Sequence, residues 1–106
     1  MNFSGLNVID YAVLAVAGTA VSLASATPAL INGKVSGKTV RRMFISNTGN
    51  DIGWRADGTA PAAGTSHVLK ADDSLSFTGA NYKQLISAIQ FIQIAATSTL
   101  SITYFD

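Results

Sequence analysis

From Ile52 to Gly79 the chain reads IGWRADGTAPAAGTSHVLKADDSLSFTG and changes character every few residues. Ile52 and Trp54 alternate with Gly53 and Arg55, the two-residue period of a strand with one face turned inward. Asp57-Gly58 breaks that run, and a loop of small residues around Pro61 carries the chain to Gly64. Ser66 to Lys70 offers a second short strand and Ala71-Asp72-Asp73 a turn. Ser74 to Thr78 offers a third strand, with Leu75 and Phe77 on one side. Such a stretch builds strands separated by turns, and it sets the terms for the rest of the chain.

The remaining segments follow the same pattern. Val8 to Val16 reads as a strand with Tyr11, Val13 and Ala15 on one face and Ala12, Leu14 and Val16 on the other. Gly18-Thr19 is a candidate hairpin turn, with Ala20 to Ala24 returning beside the first strand. Thr27-Pro28 has the form of a helix start and Gly33 of a stop, which predicts a single helical turn between them. Thr39 to Asn47 is a further strand, in which Arg41 and Arg42 point to opposite faces. Asn81 to Ala88 reads as a short turn of helix feeding a strand over Ile89 to Ile94. Thr99 to Phe105 closes the chain, and its pairing with Ile89–Ile94 through Ala96-Thr97-Ser98 is the strongest hairpin expected. The count is about eight short strands with one or two short helical turns. An all-β single sandwich is the natural reading, with jelly-roll-like wiring as one form of it. Residues 1–7 are expected to form a flexible N-terminal arm and residues 8–106 the sandwich domain.

Composition narrows the function classes. At 106 residues there is room for one core. Apolar residues make up 48% and charged residues 12%, about half the usual charged share. Every acid is Asp, a residue of turns and caps, while Glu, a helix former, is absent. A net charge of +1 with scattered Lys and Arg argues against nucleic acid as a partner. No Cys is present, so no disulfide framework or thiolate metal site can form. Tyr11 to Gly33 is uncharged and long enough to cross a bilayer. Gly18, Thr19, Ser22, Ser25, Thr27, Pro28 and Asn32 interrupt it, so no membrane segment is expected. A signal peptide would place Lys or Arg near the start, where this chain has Asp10.

No catalytic constellation stands out. His67 is the single histidine, and no nucleophile elbow surrounds any Ser. Asp72-Asp73 with Asp57 could offer oxygens to a hard cation, but the spacing suits a turn better. Trp54 could serve as a sugar platform or an interface anchor, although its alternation with Ile52 places it in the core. No cofactor is expected.

The segment Trp54-Arg55-Ala56-Asp57-Gly58-Thr59-Ala60-Pro61, followed by His67-Val68-Leu69 and Asp72-Asp73-Ser74-Leu75, resembles an element of small tailed-bacteriophage virion structural proteins. The closing strand Ser98 to Phe105 is similar to the one with which such proteins usually end. The resemblance covers roughly Val40 to the C-terminus. It departs at Asp72, where glycine is common, which bears on the type of turn. It implies a non-enzymatic virion protein, in the first place a head decoration or cement protein, with a tail, baseplate or fibre-attachment part as the close alternative. The implied partners are the major capsid protein or other virion proteins and further copies of the chain, a trimer being the favoured homo-oligomer. The implied location is the virion, assembled in the bacterial cytoplasm. Candidate interface residues are Phe3, Leu6, Tyr11, Val13, Arg55, Thr59 and Pro61, on the arm, the apolar Tyr11–Leu23 segment and the Asp57–Ser66 loop. A carbohydrate-binding module and, last, a small membrane protein are the alternatives from other classes.

Overall fold

Inner-facing side chains decide how these strands stack. A computed structural model describes residues 8–27, 30–31, 34–35, 37–62, 64–78, 86 and 88–105. Eleven strands lie among them: β1 (Val8–Val16), β2 (Val21–Ser22), β3 (Leu30–Ile31), β4 (Lys34–Val35), β5 (Lys38–Thr39), β6 (Arg42–Asn47), β7 (Ile52–Arg55), β8 (His67–Leu69), β9 (Ser74–Thr78), β10 (Gln90–Gln93) and β11 (Ser98–Phe105). Eight of them form two four-stranded antiparallel sheets, β1-β11-β6-β9 and β2-β10-β7-β8, and β3-β4-β5 make a small third ladder. The eight long-range strands pair as one folded ribbon: β1 with β11, β2 with β10, β6 with β9 and β7 with β8. That nesting is jelly-roll wiring.

The core follows from strand alternation. In the first sheet, Ala12, Ile102, Ile45 and Leu75 lie in one cross-strand row, facing inward. In the second, the inner row is Val21, Phe91, Trp54 and His67. Phe91, Ile45, Ile102, Ile52 and Leu23 have no exposed surface. Burying a side chain of that size is worth roughly 1.5–3 kcal/mol.

Several expectations are corrected. The Ile89–Ile94 and Thr99–Phe105 segments are not a hairpin: β10 and β11 lie in different sheets, and the chain crosses between sheets at 94–97. Likewise β1 and β2 do not pair, so Tyr11–Leu23 is a crossover rather than a hairpin. The helical turn expected after Thr27 gives way to strand β3, because Leu30 and Ile31 pair with Val35 and Lys34. A short 3-10 turn forms earlier, at Leu23–Ser25. The single strand expected over Thr39–Asn47 is broken at Val40-Arg41, which lets Val40 turn into the core while Arg41 stays exposed. Asp72 has a positive φ, at +65°. That is the left-handed region, which Asp tolerates better than most residues. The N-terminal arm, and most of the helical turn expected over 81–88, lie outside the described residues.

Two buried polar groups hold the stack together. Asn47, 1% exposed, ends β6. Its Nδ2 donates to the carbonyls of Asn50 at 2.8 Å and Leu69 at 3.0 Å, while Ser98 Oγ donates to its Oδ1. Deeper in the sandwich, Tyr104 Oη and Thr27 Oγ1 share a buried hydrogen bond of 3.0 Å.

Burial raises the Tyr104 phenol above its ordinary value of 10.0, against a smaller opposing effect of the Thr27 bond. A phenol whose folded pKa is raised holds its proton where the unfolded chain has lost it. Stability is therefore fully present below about pH 10 and falls as pH rises beyond it. Thermal melts from about pH 8 to pH 11 should show that loss in the native chain. They should show a flatter profile in Tyr104→Phe, which gives up about 1 kcal/mol at neutral pH with the Thr27 bond.

Candidate functional site

Two surfaces stand out, and they belong to different sheets. The first is the outer face of β1-β11-β6-β9. Alternation turns Tyr11, Val13 and Ala15 away from the core. Tyr11 is 57% exposed and Val13 53%. The register continues outward-facing rows across the sheet: Tyr11, Thr103, Phe44, Ser76 in one and Val13, Ser101, Ser46, Ser74 in the next. No charge interrupts either row. Tyr11 Oη donates to Ser101 Oγ at 3.1 Å, which pins the ring along the sheet. β1 is also the edge of its sheet. From Tyr11 to Val16 it carries neither Lys nor Pro, the residues that usually guard an edge strand.

The second surface is a cleft of about 550 Å³ at the mouth of the β7–β8 loop, lined by Trp54, Arg55, Ala56, Asp57, Thr65, Ser66 and His67. Trp54 and His67 are cross-strand neighbours, with ring centroids 4.7 Å apart and planes tilted by 36°. Phe77 meets the indole edge-on from β9, at 5.8 Å. Trp54 is thus half-buried: one part packs on the core and another faces the cleft.

Beside the aromatic pair, Arg55 grips Asp57 with two parallel bonds, Nε to Oδ1 at 3.1 Å and Nη2 to Oδ2. Thr59 N–H also donates to Asp57 Oδ1, at 3.2 Å. The Arg55 bond, followed by the Thr59 amide, holds the Asp57 carboxyl below the usual carboxylate range, and the same bond raises Arg55. A lowered carboxyl pKa means the pairing is complete above the ordinary Asp pKa and is lost as pH falls through the lowered value. The pair is exposed, so its role is to fix geometry rather than to stabilise the fold.

Gly53 makes room for one of the lining residues. It is buried on β7, and a Cβ there would overlap Ser66 Oγ. The missing side chain lets Ser66 settle against the strand, where its hydroxyl is buried without a hydrogen-bond partner among the described residues.

Of the candidate interface residues, Tyr11 and Val13 lie on the first surface, Arg55 lines the second and Thr59 is exposed in the loop beside it. Pro61 is buried rather than presented at the loop tip, and Phe3 and Leu6 lie outside the described residues. Asp57 is committed to Arg55, while Asp51 Oδ1, not Asp72 or Asp73, accepts an amide of the β8–β9 turn, that of Ala71 at 2.9 Å. Among the described residues no group of three or more His, Asp or Glu side chains could hold a metal ion, and no helix is long and apolar enough to cross a membrane. Phe44 on the outer face and His67 in the cleft were not singled out for those places. The Trp54–His67 pair could have been found by treating the two runs around the Asp57–Ser66 loop as a hairpin. Comparison with protein-family models, curated proteins and solved structures returns no match.

Proposed function

We propose that this chain is a non-enzymatic bacteriophage virion structural protein, in the first place a head decoration or cement protein that acts as a homo-oligomer, with a trimer as the favoured form. The observation that carries the reading is the pair of uncharged outward-facing rows on the first sheet, led by Tyr11 and Val13. Tyr11 and Val13 are more than half exposed on an edge strand without charged guards from Tyr11 onward. A contiguous face of that kind is suited to burial against a neighbour. A chain with only 12% charged residues has the freedom to bury such surface in an assembly. Jelly-roll wiring, which recurs in viral shells and in lectins, agrees with the reading by analogy of fold alone. The resemblance of Trp54–Leu75 to phage virion proteins supports it independently of geometry.

In this role the outer face and the loops bury against the major capsid protein or a neighbouring copy and so stiffen the shell. A protein inventory of purified particles by mass spectrometry tests the assignment, and absence from the particle would end it. Copy number separates the head from the tail, because shell symmetry demands on the order of hundreds of copies and a tail part far fewer. Val13→Lys tests the face itself. It should change the stability of the isolated protein by no more than about 0.5 kcal/mol, because the position is exposed. It should strip the protein from particles. Undiminished occupancy would place the contact elsewhere.

A further inference from the structure

We propose that the cleft at the mouth of the β7–β8 loop is a binding site for a neutral saccharide. The inference is independent of the virion assignment, and either can fail without the other. Its first support is the aromatic shelf. The inner row of the second sheet runs from Val21 through Phe91 to Trp54 and ends on the exposed ring of His67. Phe77 braces the indole from the core side. The shelf is therefore rigid before any ligand arrives, and the part of the indole that faces the cleft stays available. A pyranose ring presents a face of C–H bonds whose polarised hydrogens suit the negative face of such a ring.

The second support is the Arg55–Asp57 pair. Its two parallel bonds hold a guanidinium and a carboxylate in a common plane beside the shelf. Each group keeps hydrogen-bonding capacity: Arg has five N–H donors and spends two here, and Asp57 Oδ2 has a second lone pair, while Oδ1 is taken up by Arg55 and the Thr59 amide. Adjacent sugar hydroxyls, each both donor and acceptor, match such an array. The pair cancels its own charge, so it leaves no net charge with which to select an anion or a cation. Thr65 and Ser66 also line the cleft, and Gly53 makes room for the Ser66 side chain. A volume of about 550 Å³ falls within the usual range for small-ligand sites and accommodates one or two sugar rings.

Trp54 is the only tryptophan in the chain and lines this cleft, so its fluorescence reports on binding there. The intact protein should be titrated with glucose, galactose, mannose and N-acetylglucosamine and their common disaccharides, with inorganic phosphate and acetate as anion probes. At least one sugar should give a saturable change with a Kd of about 1 mM or tighter. Asp57→Ala should weaken that binding at least tenfold. The exposed position leaves the melting temperature unchanged, which separates lost binding from lost folding. No response to any sugar would overturn the proposal. So would a sugar response indifferent to Asp57→Ala, or a saturable response to phosphate or acetate alone.

Discussion

Asn47→Asp is expected to cost about 3–5 kcal/mol of folding stability, although it changes one amide nitrogen to an oxygen. Asn47 is almost fully buried and spends every polar atom it has. Its Nδ2 hydrogens go to the carbonyls of Asn50 and Leu69, and its Oδ1 accepts from Ser98. Its backbone N–H donates to the Asp73 carbonyl and its own carbonyl accepts from the Asp72 amide, both at 2.9 Å. One residue thus ties the end of β6 to the following turn, to the end of β8, to the β8–β9 turn and to the start of β11. Aspartate removes both donors and sets an oxygen against two carbonyls. An unsatisfied buried group costs about 1–3 kcal/mol, and a buried charge adds to that. Chemical denaturation of the two proteins measures the difference. A loss below about 1 kcal/mol would mean that water or a local shift satisfies the stranded carbonyls.

Phe91→Ala should cost a similar 3–5 kcal/mol, for a different reason. Phe91 has no exposed surface and stands between Val21 and Trp54 in the inner row of the second sheet. Truncating it removes apolar contact and leaves a cavity that the flanking strands can close only in part. Because Trp54 leans on that row, its emission should also move to longer wavelength as the indole gains water. Val68→Ala, at a 51% exposed position, should change stability by no more than about 0.5 kcal/mol and leave emission unmoved. A denaturation midpoint shift with an unchanged denaturant slope would confirm a packing loss within the same folded state.

These two residues also mark where reading the chain succeeds and where it stops. Ser74–Thr78 was legible to the residue because clean alternation and flanking turns point to one answer. Phe91 was legible as part of an apolar strand. Asn47 was not, since an Asn before Thr-Gly-Asn looks like any turn residue. Its importance comes from four segments that only tertiary structure brings together. The supposed hairpins failed for a related reason. A turn signal says that the chain reverses, but not whether it returns to the same sheet or crosses to the other. At Thr27 a good capping signal lost to strand pairing, as local propensity does when tertiary contacts compete. The cleft was half visible: Trp54 was assigned to the core by its period, but a strand-end position next to a loop left it half-open. The turn at Ala71-Asp72-Asp73 was legible as a turn, but the positive φ at Asp72 was not.

The ribbon wiring constrains the order in which the molecule can assemble itself. Its closed end, β7 with β8, joins segments separated by one loop. Its open end joins β1 to β11, where Tyr11 and Ser101 meet across 90 positions of chain. Closing a span of that length forfeits conformational entropy before any contact repays it, which is why such topologies fold in milliseconds to seconds rather than microseconds. Zipping is expected to start at β7–β8 and to reach β1 last. The strand bearing the exposed Tyr11 and Val13 face is then the most recently secured part of the fold, so that face should become available for partners only once the rest of the ribbon is closed.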